Sequence, residues 1–349
     1  MTTIDLTGPV IGHVIVGPPE HGVVQFAERL ADHLGGPVLR LGEVGAEIDP
    51  GVLAGVDVIL MQYTDGLYGP DTATAAVNFG ALRAQFRQPV AVTLHDLPAD
   101  ADDPVRYRRR ATGYRAVRKV VEAVVVSSQH EARLLARFLT IFEAGHSAVV
   151  PLPVDVLVPA SAERPDRRPE LAVLGFIYPG KGHDEALDAL DGLPPQIDFT
   201  AIGRAADGHD DLVTALAEAA DEIDHRFLLT GFLPEAELLT RLREAAVPVA
   251  PNREVSASGS INTWIAAGRR PLVAAGPYTR ELAERCPEAI HLYEPGELPE
   301  LIHASFADPD LTWLDDGCRV GPSGTEAATA YRSLLAEVAT RPLAGTTAR

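Results

Sequence analysis

Two segments of this chain open in the same way, and that repetition constrains the fold more than any other feature. Val10 to Val16 is a mostly apolar run, the pattern of a strand buried on both faces. Gly17-Pro18-Pro19-Glu20-His21-Gly22 makes a turn, after which Val23, Val24, Phe26, Ala27, Leu30 and Leu34 recur at helical spacing. Further on, Glu170 to Leu174 reads as a buried strand, Gly175 to Gly182 as a glycine-rich turn and Asp184 to Leu190 as a helix. After each opening, short apolar runs alternate with helical stretches. Strands are expected at 37–41, 56–61, 89–94, 122–126 and 148–151, then at 171–177, 198–202, 226–230, 247–250, 272–275 and 290–293. Helices are expected at 78–86, 129–139, 211–219, 235–245, 261–267 and 325–338. Such alternation predicts parallel sheets covered on both faces. The expected class is therefore α/β, with two Rossmann-like domains whose sheets face each other across a cleft.

Prolines 151, 153, 159, 165 and 169 punctuate a polar stretch without periodicity, the mark of a connection. The expected division is an N-terminal domain over 1–153, a linker over 154–169, a C-terminal domain over 170–323 and a final helix with a polar tail over 324–349. The net charge is −19, which argues against a general nucleic-acid binder. Cys286 and Cys318 have no spacing that suggests a disulfide framework or a metal site. No run approaches the ~20 apolar residues that span a bilayer, and the first residues lack the pattern of a signal peptide. The expected compartment is the cytoplasm. The zincin, zinc-ribbon, nucleophile-elbow and EF-hand patterns are absent from the sequence.

Lys181 is one of only two lysines, against 28 arginines. A compact ammonium between Gly180 and Gly182, after a strand and before a helix, suits a phosphate oxygen better than a broad guanidinium would. The alternative is a turn with a solvated lysine. The spacing is not that of a P-loop. A second anion site is expected at Ser256-Ala257-Ser258-Gly259-Ser260-Ile261-Asn262, where a serine N-cap and a glycine open a helix after a strand. Ordinary capping is the plainer alternative there. Polar residues also gather where earlier strands end: Tyr63 and Asp65, then His95 and Asp96. His95 and His21 are the candidate acid–base groups. One dense basic segment, Arg106 to Lys119, includes Arg108 and Arg115. It reads either as a contact to an anionic acceptor or to the inner face of a membrane, or as a solvated face paired with Asp100, Asp102 and Asp103.

With these residues assembled, the chain resembles the GT-B glycosyltransferases, closest to the retaining, nucleotide-sugar-dependent family 4 (group 1) that includes bacterial mannosyl- and glucosyltransferases. The resemblance rests on the Gly22 loop, His95-Asp96, Gly175 to Gly182 with Lys181, Thr230-Gly231-Phe232-Leu233, and Ala266-Ala267-Gly268 ahead of Pro271. It implies transfer of a sugar from a nucleoside diphosphate sugar to a saccharide, glycolipid or small-molecule acceptor, with retention and with no metal or other cofactor. The donor would bind in the C-terminal half, the acceptor in the N-terminal half, and the last helix would cross back to the first domain. His95, Lys181 and Glu254 would be catalytic. Donor contacts would come from Gly22, Phe176, Gly180, Lys181, Gly231, Phe232, Ser258, Gly259, Ser260, Ile261 and Asn262. Acceptor contacts would come from His21, Tyr63, Asp65, Asp96, Arg108 and Arg115. Two departures stand out. Phe176 occupies the place where the family usually has arginine. The family's paired glutamates, eight positions apart, fall on Glu254 and Asn262, or on Val255 and Thr263 when counted back from Gly268. A GT-B nucleotide-sugar epimerase and a nucleotide-sugar-binding protein without catalysis are the alternative expectations.

Overall fold

The computed structural model describes residues 8–49, 51–99, 103–139, 146–159 and 161–340. These residues form two compact units. One takes the chain up to Pro153 together with the residues from Pro322 onward; the other is Val154–Gly321.

Unit 1 contains the strands β1 (Ile11–Val16), β2 (Val38–Leu41), β3 (Val58–Tyr63), β4 (Val90–Leu94), β5 (Ala123–Val126) and β6 (His146–Val149), in one parallel sheet of order β2-β1-β3-β4-β5-β6. Every residue of β1, β3, β4 and β5 is buried, which is why these strands read as unbroken apolar runs. Its helices are α1 (Gly22–Leu34), the single turn α2 (Asp65–Tyr68), α3 (Thr72–Arg83), α4 (Pro104–Lys119) and α5 (Gln129–Phe138). Helix α3 begins six residues before the helix expected at 78–86. The Asp71 carboxylate caps it by accepting from the amides of Ala73 and Thr74.

Unit 2 holds β7 (Arg168–Leu174), β8 (Asp198–Ile202), β9 (Phe227–Leu229), β10 (Ala245–Ala250), β11 (Leu272–Ala274) and β12 (His291–Tyr293), parallel throughout, in the order β12-β11-β10-β7-β8-β9. The helices are α6 (His183–Asp188), α7 (Asp210–Glu222), α8 (Glu235–Glu244), α9 (Gly259–Ala266), α10 (Pro277–Arg285) and α11 (Leu298–Ala307). Residues 154–159 and 161–169, read from the sequence as a connection, pack with this unit. Leu157 donates its amide to the Ala266 carbonyl, and Val154 is buried beside Ala250 and Ile261. Arg269, fully buried, closes the end of α8 by donating to the carbonyls of Leu242, Arg243 and Ala245.

The last helix, α12 (Gly324–Ala339), belongs to unit 1. Ser323 and Glu326 form a capping box at its start. Its Tyr331, Leu334, Leu335 and Val338 pack with Leu30 and Leu34 of α1 and with Val58 and Leu60 of β3.

These strand orders fix where ligands belong. In unit 2 the chain runs β7, β8, β9 in one direction across the sheet, then returns to β10 on the other side of β7. The order reverses between β7 and β10. In unit 1 it reverses between β1 and β3. Open parallel sheets bind ligands beyond the carboxyl ends of the strands at such a reversal.

Candidate functional site

In unit 2 the loop leaving β7 and the loop leaving β10 enclose a pocket of about 240 Å³. Its walls include Phe176, Tyr178 and Lys181 from the first loop and Ser258, Gly259 and Ser260 from the second. Lys181 is buried, and its Nζ donates to Ser260 Oγ at 3.2 Å. Ser258 Oγ lies 3.2 Å from Ser260 Oγ and accepts from the Ile261 amide, so it caps α9. Among the described residues no carboxylate forms an ion pair with Lys181. Burial alone pulls its pKa down to about 8. An ammonium held out of water beside two hydroxyls and the free amides of a helix start is matched to an anion.

The backbone makes this approach possible. Gly175 has φ +121°, and a Cβ there would stand 3.3 Å from the Lys181 ammonium. The next loops lie alongside. The Gly175 amide donates to Ile202 O at 3.0 Å, and the Gly203 amide donates to Thr230 Oγ1 at 3.1 Å. Gly231 and Phe232 follow β9, with Phe232 exposed. Gly180 and Gly259 each face open space. Asn262 sits half-buried in the first turn of α9. Glu254 is exposed, and its amide donates to Asn252 Oδ1 at 2.9 Å, which fixes the loop before α9.

Two residues that the sequence did not single out lie next to residues of the pocket wall. The guanidinium of Arg204, which follows β8, lies 4.9 Å from the centre of the Phe176 ring. His183 is buried directly after the Lys181-Gly182 turn, with neither ring nitrogen hydrogen-bonded. Burial, reinforced by Lys181, lowers its pKa to about 3, so it is neutral.

The unit 1 reversal carries a different set. His95, just past β4, is buried and shares a hydrogen bond with Gln62 Oε1 at 2.9 Å from its Nε2. Burial lowers its pKa to about 4, opposed by the Asp96 carboxylate, so the ring is neutral near pH 7. Asp96 holds φ +51°, a left-handed conformation uncommon outside glycine but better tolerated by aspartate than by most side chains. Thr64 Oγ1 donates to its carboxylate at 2.8 Å, and Tyr114 OH donates to its carbonyl at 3.0 Å. His21 Nδ1 accepts from the Val23 amide and caps α1, leaving Gly22 exposed at the helix start. Its pKa is lowered by burial and raised by Asp96. Asp65 accepts from Thr72 Oγ1 at 2.7 Å and lies 3.5 Å from Arg110 Nε. Tyr63 is fully buried among Tyr68, Phe79 and Tyr114.

Arg110 is the basic residue of α4 that joins this group; it also donates to the Asp96 carbonyl. Arg108 donates to the Pro104 carbonyl of its own helix, and Arg115 to the Phe138 carbonyl. Asp103 caps α4, and Asp100 and Asp102 lie outside the described residues. Among the described residues no three histidine, cysteine, aspartate or glutamate side chains gather to hold a metal ion, and no helix is long and apolar enough to cross a membrane.

With the fold and both sites in place, the chain can be set beside known structures. No family model matches the sequence, and no curated protein matches it. Solved structures do. A sucrose-phosphate synthase from Thermosynechococcus elongatus matches over 95% of this chain and 96% of its own, with TM-score 0.64 and 17% identity. Anabaena HepE in complex with UDP-glucose matches over the same shares, with TM-score 0.66 and 17% identity. AviGT4, a glycosyltransferase involved in avilamycin A biosynthesis, matches over 96% of this chain and 99% of its own, with TM-score 0.62 and 16% identity. The likeness shows the fold. This is a GT-B chain, with two parallel-sheet units of six strands each. The α/β class with two parallel-sheet domains, expected from the sequence, is the one found.

Proposed function

We propose that the protein transfers a sugar from a nucleoside diphosphate sugar to an acceptor, with retention and without a metal ion. One observation carries this reading: the buried Lys181 ammonium, without a carboxylate partner among the described residues, beside the start of α9 at the sheet's reversal point. The transition state of glycosyl transfer has oxocarbenium character, and its main requirement is a leaving group whose charge is already balanced. Lys181 and the amides of Gly259 and Ser260, within the Ser258 to Ile261 turn, balance the departing diphosphate. Gly180, Gly231, Phe232 and Asn262 complete the donor contacts, with Gly22 offering its exposed backbone. Glu254 addresses the sugar hydroxyls. Neutral His95 meets the reacting sugar by hydrogen bonding and does not serve as a base, which suits a retaining reaction.

Unit 1 binds the acceptor. His21, Asp65 and Asp96 accept from or donate to its hydroxyls, Tyr63 backs the site, and Arg108 and Arg115 lie on the helix beside it. A saccharide, a glycolipid or a small hydroxylated molecule fits this chemistry, and α4 offers a peripheral contact for an anionic membrane. The structural neighbours support the donor class, since HepE is seen in complex with UDP and with UDP-glucose.

The test is thermal shift of the wild type and Lys181→Ala against UDP-, GDP-, ADP- and TDP-sugars. A ligand that binds the native state alone raises stability as RT ln(1 + [L]/Kd). A shift with one nucleotide class, lost in Lys181→Ala, is expected. The product's anomeric configuration by NMR checks retention, and turnover in the presence of a chelator checks metal independence. No shift with any donor would sink the proposal.

A further inference from the structure

Resting on that donor-site reading, the charge of the pocket points to one more residue. The pocket contains a single buried cation, Lys181. A diphosphate carries more than one negative charge near neutral pH, so one ammonium leaves it under-compensated. A second positive charge stands against one residue of the pocket wall. Phe176 lines the pocket, and the Arg204 guanidinium lies 4.9 Å from its ring centre.

The backbone fixes this pairing. Strands β7 and β8 end in the same way, as Leu174-Gly175-Phe176 and Ile202-Gly203-Arg204. Gly203 has φ +149°, and a Cβ there would stand 2.2 Å from the Gly175 carbonyl oxygen, so the two loops run in contact. The Ile177 amide donates to the Arg204 carbonyl at 2.9 Å. The Arg204 side chain itself is loosely held. Its Nη1 donates to the Ala205 carbonyl at 3.0 Å and to the Asp207 carboxylate at 2.8 Å, and the Asp207 side chain is 93% exposed. An ion pair so open to water is weak and easily exchanged.

We propose that Arg204 is the second cation of the diphosphate site. Lying on the Phe176 face, its planar fork exchanges the Asp207 carboxylate for phosphate oxygens, which it meets with paired N–H donors. Phe176 is the platform that orients it.

The experiment titrates the nucleoside diphosphate, among UDP, GDP, ADP and TDP, that shifts the wild type most, alongside the matching nucleoside, by calorimetry. Arg204→Ala is expected to weaken the diphosphate about tenfold, the loss of one charge-assisted contact, and to leave the nucleoside unchanged. Arg204→Lys should recover part of the loss. Asp207→Asn should tighten the diphosphate, because the competing carboxylate is gone. Arg204→Gln serves in place of Arg204→Ala if that variant does not fold. An unchanged diphosphate Kd, or an equal loss for diphosphate and nucleoside, overturns the role of Arg204 and leaves the donor site standing. A wild type that binds none of the four diphosphates overturns both.

Discussion

The first strand of each unit ends in a glycine of nearly the same backbone, and what fills the space beside it separates the two sites. Gly17 has φ +118° and Gly175 has φ +121°. At Gly17 a Cβ would stand 2.6 Å from the Leu67 side chain; at Gly175 it would stand 3.3 Å from the Lys181 ammonium. The same turn admits an apolar plug in unit 1 and a cation in unit 2. The surroundings follow suit. Beyond β1, β3 and β4 lie the carboxylates of Asp65 and Asp96, with Arg110 against Asp65. Beyond β7 and β10 lie an ammonium and two serine hydroxyls. Carboxylates accept hydrogen bonds from sugar hydroxyls, whereas an ammonium and free amides match phosphate oxygens. Equivalent places in two similar sheets have thus acquired different charge, which is the physical basis for proposing the donor in unit 2 and the acceptor in unit 1.

The contrast is broken most directly at Lys181. Lys181→Met is expected to abolish the thermal shift with nucleoside diphosphates and to lower kcat by ~10²–10³, the usual cost of removing one group that stabilises developing charge. The fold should survive, because methionine fills similar space without a desolvated ammonium. Asp96→Asn is the matched change in unit 1. It should leave diphosphate affinity intact and raise the acceptor KM. A Lys181→Met protein that binds diphosphate as the wild type does would remove the electrostatic contrast altogether.

A smaller effect is expected at the two exposed helix starts. A Cβ added at Gly22 or at Gly259 meets nothing within 4 Å, so neither alanine variant should lose stability. If an anion rests on the α9 backbone, Gly259→Ala weakens nucleoside diphosphate binding by about tenfold, roughly one good contact. Gly22→Ala should leave that affinity unchanged and reduce turnover with the complete donor. Equal effects of the two variants on the bare diphosphate would show that the helix starts do not divide the work as their surroundings suggest.

The sequence made the inner strands legible because both of their faces are buried, which leaves apolar runs that need no partner to be recognised. Helix starts were harder to read where proline stands in the first turn. Pro277 opens α10, and Pro299 lies in the first turn of α11; neither helix was placed, yet proline is favoured in a first turn, where its missing N–H costs nothing. Lys181 stood out because lysine is so rare in this chain. Arg204 did not, since arginine is common, though the parallel endings at Gly175-Phe176 and Gly203-Arg204 carried the signal. The involvement of Gln62 and Arg110 depends on which side chains converge across β3, β4 and α4. Sequence spacing does not encode that convergence.

Titration gives the finest discrimination between the two sites. Lys181 has a pKa of about 8 in the folded chain against an ordinary 10.5. Between those values the unfolded chain holds a proton that the folded chain has released, so stability contributed at this site rises as pH climbs from about 8 toward 10.5. Lys181→Met should remove that rise. His95 has a pKa of about 4 against an ordinary 6.5, so its contribution is intact above 6.5 and is lost as pH falls toward 4. His95→Gln should flatten that acid limb in chemical denaturation followed across pH. Bound diphosphate stabilises the Lys181 ammonium and raises its pKa, so affinity should be greatest below about pH 8 and decline above it. Titrations at pH 7 and pH 9 on the wild type and both variants separate the two sites. Diphosphate affinity should fall with rising pH in the wild type and in His95→Gln, while in Lys181→Met any residual binding should be weak at both pH values. A wild-type affinity equal at both pH values would mean that the ammonium does not face the anion, and the different charges of the two sites would then have no bearing on which substrate each one holds.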